Sequence, residues 1–432
     1  MIFNKQIECS ALKLLKDIQS QRLCQTVNYL YQKSLVFQKK FTESHVACGH
    51  IKTIDDIVHL PFTVKDDLRD NYPFGIFSSP VSDIREIHIS SGTTGNPTVV
   101  GYSKEDIDLW ADVIARSLCC AGAIPGDMIQ IAYGYGLFTG GLGLHYGSQL
   151  LGLTVIPCSS GQTQRQLKIM QDFRPKILAC TPSYALYMAE TAGELGLDPK
   201  KSSWKIGIFG AEPWSEAMRQ EIEKRWGLDA IDIYGLSEII GPGVACECHC
   251  KNGLHIFSDV FYPEVIDPHT LKNVESGIPG ELVITTLTKV GMPLIRYRTR
   301  DIVTINYEKC ACGRTSPRIS KVLGRTDDMI VVRGINVFPS QIEEVLLKID
   351  GVEPHYQIVV ERHKGLDQIE VLVELKESFF SDEVKQLQTF EHRVAREIES
   401  VLGIGVKVRL VEPKSIERSE GKSKRIIDKR SL

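Results

Sequence analysis

Residues 90–97, SSGTTGNP, set the reading of the whole chain. Two hydroxyls, a glycine, two more hydroxyls, a second glycine and a proline suit neither a helix nor a packed strand. Gly92 and Gly95 permit positive φ and close backbone approach. Ser90, Ser91, Thr93 and Thr94 add donors. Residues 84–89 before the loop read as a strand, and residues 102–116 after it as a helix. A flexible hydroxyl-rich loop in that position suits a polyphosphate held by backbone N–H groups and hydroxyls. The stretch is not a P-loop, which needs Gly-Lys-Ser/Thr after its last glycine. An ordinary Ser/Thr/Gly turn is the competing reading of the stretch alone.

Around that loop lies a chain of 432 residues, 43% hydrophobic and 24% charged. This length predicts two or more domains with sizeable cores, and the composition is that of a folded globular protein. A net charge of −3 gives no support for nucleic-acid or membrane-surface partners. Charged residues Glu8, Lys13, Lys16 and Asp17 interrupt the N-terminal apolar residues, so no signal-peptide core is read there. No apolar run reaches membrane-spanning length. The default expectation is a cytoplasmic protein without a membrane partner.

The secondary-structure pattern divides in three. Residues 10–40 carry apolar residues at helical spacing, and residues 61–77, PFTVKDDLRDNYPFGIF, predict a short helix capped by Thr63. From 127 to 214 short apolar strands alternate with amphipathic helices, which predicts parallel sheets covered by helices. Ligands in such sheets sit at the carboxyl ends of strands. Three loops in those positions carry chemistry: 133–143 (YGYGLFTGGLG), 210–214 (GAEPW) and 234–238 (YGLSE). The first has glycines beside aromatics, as a flat apolar pocket would, although tight packing explains glycines equally well. It misses the dinucleotide fingerprint. After 255 the pattern turns to β, with strands read at 280–287, 294–297 and 302–305. Residues from about 327 read as a small α+β domain. The fold class expected is therefore α/β, with a large N-terminal domain, 1–326, of parallel and mixed sheets with a β-rich subdomain. A small mobile α+β domain, 327–432, follows it.

Twelve cysteines are many for a cytoplasmic chain. Seven are scattered and read as buried thiols. The other five cluster, in CECHCKNGLH (246–255) and in Cys310-x-Cys312-Gly. Clustered Cys and His in a reducing compartment point to metal, and a closed tetrahedral site points to structural Zn²⁺. The expected ligands are Cys248, His255, Cys310 and Cys312. The one-residue spacing leaves Cys246, His249 and Cys250 as substitutes.

Five segments in order, SSGTTGNP, YGLSE, YRTRD (297–301), GRTDD (324–328) and SEGKSKR (419–425), make the chain resemble the adenylate-forming enzymes. These are the acyl-CoA synthetases, luciferases and peptide-synthetase adenylation domains. PFTVKDDLRDNYPFGIF, GYGLFTGGLGLHYG and GAEPW add a resemblance to their phenylacetate–coenzyme A ligase branch, over nearly the whole length. The resemblance implies ATP, Mg²⁺, coenzyme A and an aryl acid as ligands, and an acyl-adenylate intermediate. It implies that residues 90–95 hold the triphosphate and that Glu238 holds Mg²⁺. Tyr234, with Gly235 and Ser237 of the same motif, would face the adenine, with Glu212 near the nucleotide and Asp232 reading the adenine amino group. Asp301 would accept the ribose hydroxyls beside Arg325. Lys422 would be the catalytic cation, with Lys424 as fallback. Asp327 would be the hinge and Gly334 would line the CoA thiol tunnel. Tyr133, Tyr135, Phe138, Gly140, Ala211 and Pro213 could enclose the acyl group, core packing being the alternative for each. Another aryl or heteroaryl acid such as indoleacetate, a carrier-protein thiol as acceptor, and a silent nucleotide-binding protein are the other readings. The resemblance also admits a homodimer.

Overall fold

The computed structural model describes residues 1–432 apart from 48, 91–95, 327–329, 333–334, 364–365, 380–383, 422, 424 and 431–432. Its centre is a nine-stranded mixed sheet. Thr154–Pro157, Met128–Ile131, Ile177–Cys180, Ile206–Gly210 and Asp229–Leu236 lie side by side and parallel. Ile177–Cys180 and Ile206–Gly210 are buried along their whole length, as continuous apolar runs covered on both faces must be. Beyond Asp229–Leu236 the sheet turns antiparallel, through Gly241–Glu247, Leu254–Ile256, Arg318–Ile319 and Ile305–Asn306. Asp232 and Tyr234 therefore sit on the strand where the sheet changes direction.

Glycines bring two helices unusually close. A Cβ at Gly143 or Gly147, in Gly140–Leu151, would lie 2.3 Å from Trp110 and 2.2 Å from Ile114 of Lys104–Cys120. Tight packing thus accounts for Gly143 in the 133–143 loop, with a helix as its neighbour.

Beside the large sheet stands a four-stranded antiparallel sheet, Phe261–Ile266, Gly280–Thr286, Tyr297–Val303 and Gly324–Arg325. It replaces the separate strands expected at 294–297 and 302–305 with one strand through YRTRD. Two further readings are corrected. Tyr102 belongs to the hairpin Ile84–Ser90/Thr98–Ser103, opposite Glu86, and the helix begins only at Lys104, where Ser103 and Asp106 form a reciprocal cap. Thr63 does not cap a helix. It is fully buried and its hydroxyl donates to the Ile295 carbonyl at 2.6 Å, while Asp67 satisfies the N–H of Val64 before Lys65–Asp70.

A separate hydrophobic cluster draws only on residues between Ile330 and Ile426, including Ile358, Val371, Val394 and Ile398. It fills the space between a mixed sheet (Lys407–Val411, Leu366–Leu375, Val352–His363, Ile426–Asp428) and the helices Pro339–Leu346 and Val384–Leu402. We propose on this ground that a domain boundary lies close to residue 327. Among the described residues no helix is long and apolar enough to cross a membrane.

Candidate active site

Three of the expected nucleotide residues meet where the two sheets of the large body adjoin. Tyr234 leaves the large sheet and donates its hydroxyl to Asp301 Oδ2 at 2.5 Å. Arg325, paired opposite Asp301 in the smaller sheet, donates to Oδ1 at 3.0 Å. Asp301 is only 4% exposed, so a charge there requires such partners. Burial and the Asp301 carboxylate push the Tyr234 phenol well up, which keeps it a donor. Asp232, two residues earlier, is buried, and its carboxyl is pushed up to about 7, by burial first and then by the Glu247 charge. Its N–H donates to Glu247, which forms a two-pronged pair with Arg219. Gly235 packs so closely on the next strand that a Cβ would lie 1.9 Å from the Gly241 carbonyl. Ser237 shares a 3.1 Å hydroxyl contact with Thr139.

Glu238 is buried, with Lys65 Nζ 3.8 Å from Oε1. Lys289 lies beneath it and donates to its carbonyl oxygen at 3.3 Å. Burial holds the Lys289 ammonium down to about 8, against the pull of Asp106 and Glu238. Neither lysine stands out in the sequence; each is distinguished only by where the fold places it, Lys65 half-buried and Lys289 buried. Ser90 ends its strand with a buried hydroxyl that meets no hydrogen-bond partner among the described residues. Ser91, Gly92, Thr93, Thr94 and Gly95 lie outside the described residues.

Glu212 follows Ile206–Gly210 in the GAEPW loop. One of its oxygens accepts from the Ser183 N–H at 2.8 Å and hydroxyl at 2.5 Å. The other accepts from the Ser423 N–H at 3.0 Å. The Gly421 carbonyl accepts from Thr181 at 3.0 Å, and Glu420 from Thr163 at 3.2 Å. Lys422 and Lys424 are outside the described residues, as are Asp327 and Gly334, but both neighbours of Lys422 are thus docked against the GAEPW loop and the start of Pro182–Glu194.

The expected acyl-pocket residues are less uniform. Tyr133 is buried, and a Cβ on Gly140 would touch it at 3.6 Å. Tyr135 shares a 3.3 Å contact with His145 Nδ1. Phe138 is 56% exposed, so it encloses nothing by itself. Ala211 holds a left-handed φ of 69°, which turns the GAEPW loop, and both it and Pro213 are exposed.

The fold gathers the four expected cysteine and histidine side chains, and it also brings Cys248, His249 and Cys250 together as a smaller group. The ligand atoms of Cys248, His255, Cys310 and Cys312 all lie within 4.8 Å of one another. Cys248 and Cys310 are 3.8 Å apart, and Cys312 Sγ is 3.4 Å from His255 Nε2. Burial, aided by Arg314 and Arg318, holds the imidazole down to about 3, so it is neutral at ordinary pH, as a metal ligand must be. Ser316 contacts Nδ1 at 3.3 Å, leaving Nε2 toward the thiols. Cys246 instead points its thiol at the Ser117 carbonyl. Three thiols and a neutral imidazole in a close, largely buried group fit Zn²⁺.

The family model for an AMP-binding enzyme matches residues 40–288, and that for an AMP-binding enzyme C-terminal domain matches residues 334–430. The chain belongs to the AMP-binding enzyme family. A phenylacetate–coenzyme A ligase of Thermus thermophilus is 47% identical over 444 residues, covering 100% of both chains. Another, of Escherichia coli, is 47% identical over 428 residues, covering 99% of this chain and 97% of its own. A solved 2-hydroxyisobutyryl-CoA ligase in the postadenylation state, bound to an acyl-AMP, superposes with a TM-score of 0.93 at 29% identity, over 99% of this chain and 92% of its own. The same ligase in its thioesterification state scores 0.72 at 30% identity and equal coverage. The chain thus superposes more closely on that ligase's postadenylation state than on its thioesterification state, and Glu420, Gly421 and Ser423 are docked on the large body.

Proposed function

We propose that the chain is an ATP-dependent ligase that joins phenylacetate to coenzyme A, releasing AMP and diphosphate. The observation that carries this reading is the end-to-end 47% identity to phenylacetate–coenzyme A ligases. In the first half-reaction the phenylacetate carboxylate attacks the α-phosphorus of ATP. The bond to the bridging oxygen breaks, diphosphate leaves, and phenylacetyl-adenylate remains. In the second, the CoA sulfur attacks the acyl carbonyl, the thiol proton is lost to solvent, and AMP leaves.

Each half places demands on the residues. Asp301, already fixed by Tyr234 and Arg325, accepts hydrogen bonds from the ribose hydroxyls, and the anchored Tyr234 ring offers a face to adenine. Asp232 accepts from the adenine amino group. Residues 90–95 cradle the phosphates with N–H groups and hydroxyls. Glu238 supplies hard carboxylate oxygen for Mg²⁺, and the bound cation would offset phosphate charge. Lys422 stabilises the negative charge that develops between carboxylate and α-phosphate, where a pre-positioned cation is worth most. Tyr133, Tyr135, Phe138, Gly140, Ala211 and Pro213 border the acid. Asp327 is the hinge that separates the halves, and Gly334 borders the CoA thiol.

Cys248, His255, Cys310 and Cys312 would hold a structural Zn²⁺, whose role would be to stabilise the fold of the large body. Hydroxylamine trapping tests the reaction. With MgATP and phenylacetate but no CoA, a stable hydroxamate should accumulate; its absence under conditions where CoA thioester still forms would reject the adenylate route.

A further inference from the structure

We propose that Glu343, assisted by Glu344, is a positioning residue for adenylate formation, capping a helix of the large body from the C-terminal domain. This rests on the ligase reading above. The helix Glu216–Trp226 has eleven residues and begins directly after the GAEPW loop. Its first-turn N–H groups need acceptors. Ser215 supplies one, its hydroxyl accepting from Met218 N–H at 3.1 Å. Two others come from far along the chain. Glu343 Oε1 accepts from Ser215 N–H at 2.9 Å, and Glu344 Oε2 accepts from Ala217 N–H at 3.3 Å. Carboxylates at a helix N-terminus gain from its dipole as well as from the hydrogen bonds.

Glu343 is built for this contact rather than left there by chance. It is 3% exposed, and its second oxygen accepts from the Tyr356 hydroxyl at 3.3 Å and lies 3.6 Å from Arg425. Arg425 is in turn stacked over the Tyr356 ring, 4.4 Å from its centroid. Arg425 stands three residues beyond Lys422, so the group that orients Glu343 also ends the segment that carries the proposed catalytic cation. Ser423 meanwhile donates to Glu212, three residues before Ser215. Two contacts from the C-terminal domain therefore bracket residues 212–217. One seats the segment around Lys422, and the other fixes the domain that bears it.

These contacts belong to one arrangement. A group biases an equilibrium between two arrangements only by what it touches in one and not in the other. The arrangement here matches the postadenylation state of the solved 2-hydroxyisobutyryl-CoA ligase and departs from its thioesterification state. Losing Glu343 should therefore slow the first half-reaction and spare the second.

The test separates the halves in the full-length protein. Phenylacetate-dependent ATP–pyrophosphate exchange reads the first, and CoA thioester formation from supplied phenylacetyl-adenylate reads the second. Glu343→Ala should lower exchange by about tenfold or more, the loss of one charge-assisted hydrogen bond. Thioester formation should stay within about twofold of the unsubstituted protein, a margin far inside that tenfold step. Glu343→Gln, which keeps an acceptor, should regain part of the loss. Should Glu343→Ala not fold, the half-exposed Glu344→Ala should show the same split to a smaller degree. Equal loss in both halves, or no change in exchange, overturns the proposal. An unsubstituted protein inactive in both halves would instead overturn the ligase reading, and this inference with it.

Discussion

Replacing Asp301 with Asn keeps the shape of the site and removes its charge. The side chain is 4% exposed, with Tyr234 on one oxygen and Arg325 on the other. An amide can still accept from Arg325 through its carbonyl, and its NH₂ can donate to the Tyr234 oxygen, so the local fold has substitutes for both contacts. Arg325 is 30% exposed, which limits the lost ion pair to about 1 kcal/mol. A fall in Tm of no more than about 4 °C follows. The ribose, in contrast, would lose a charged acceptor. Hydrogen bonds to charged groups are worth about 1.5–3 kcal/mol, so kcat/KM for ATP in the exchange reaction should fall about 10- to 150-fold. Measuring the same ratio with 2′-deoxy-ATP isolates the contact. The unsubstituted protein should discriminate against 2′-deoxy-ATP, and Asp301→Asn should discriminate much less. Discrimination that survives in Asp301→Asn would refute the assignment of Asp301 to the ribose, as would an unchanged kcat/KM.

Three other outcomes are expected. Lys422→Ala should abolish adenylate formation yet leave thioester formation from supplied phenylacetyl-adenylate; equal loss of both would remove its assigned role. Metal analysis should find about one zinc per chain, lost in Cys310→Ser together with a lower Tm; a metal-free protein with the same Tm as Cys310→Ser would remove the site. Burial holds the Lys289 ammonium down to about 8 in the folded protein, against an ordinary lysine value of about 10.5. Between those values the unfolded chain binds the proton and the folded protein does not, so stability rises with pH across that window. Relative to Lys289→Met, the unsubstituted protein should gain about 3 kcal/mol from pH 8 to 10.5 in denaturant titrations. Parallel curves would show that Lys289 is not depressed.

How much of this could be read from the sequence differs by residue. The parallel strands were legible because buried strands such as ILAC, residues 177–180, are uninterrupted apolar runs. Asp301 and Tyr234 were legible through the order of their motifs, although they are 67 residues apart and no local pattern shows that they touch. The expected cluster of Cys248, His255, Cys310 and Cys312 is the set the fold gathers, although spacing alone leaves Cys246 and Cys250 as substitutes because the three cysteines alternate along one segment. Strand pairing favours that set by putting Cys246 opposite His255 in the ladder and carrying Cys248 past the strand end toward Cys310. Nothing in the sequence marks Lys65 or Lys289, because a lysine that the fold will place beside Glu238, or bury as it does Lys289, looks like any other. Thr63 misled for a related reason. Its hydroxyl suits a helix cap, but a carbonyl from residue 295 competes for it. Nothing in the sequence marks Glu343 and Glu344, and only the docking of one body on the other brings them to Ser215 and Ala217.

The most direct measurement is AMP release with MgATP across a panel of aryl and short aliphatic acids, each with and without CoA. The ligase reading predicts strong turnover with phenylacetate that depends on CoA. No acid-dependent AMP release would contradict it, and so would exchange of pyrophosphate with phenylacetate that CoA never converts to turnover.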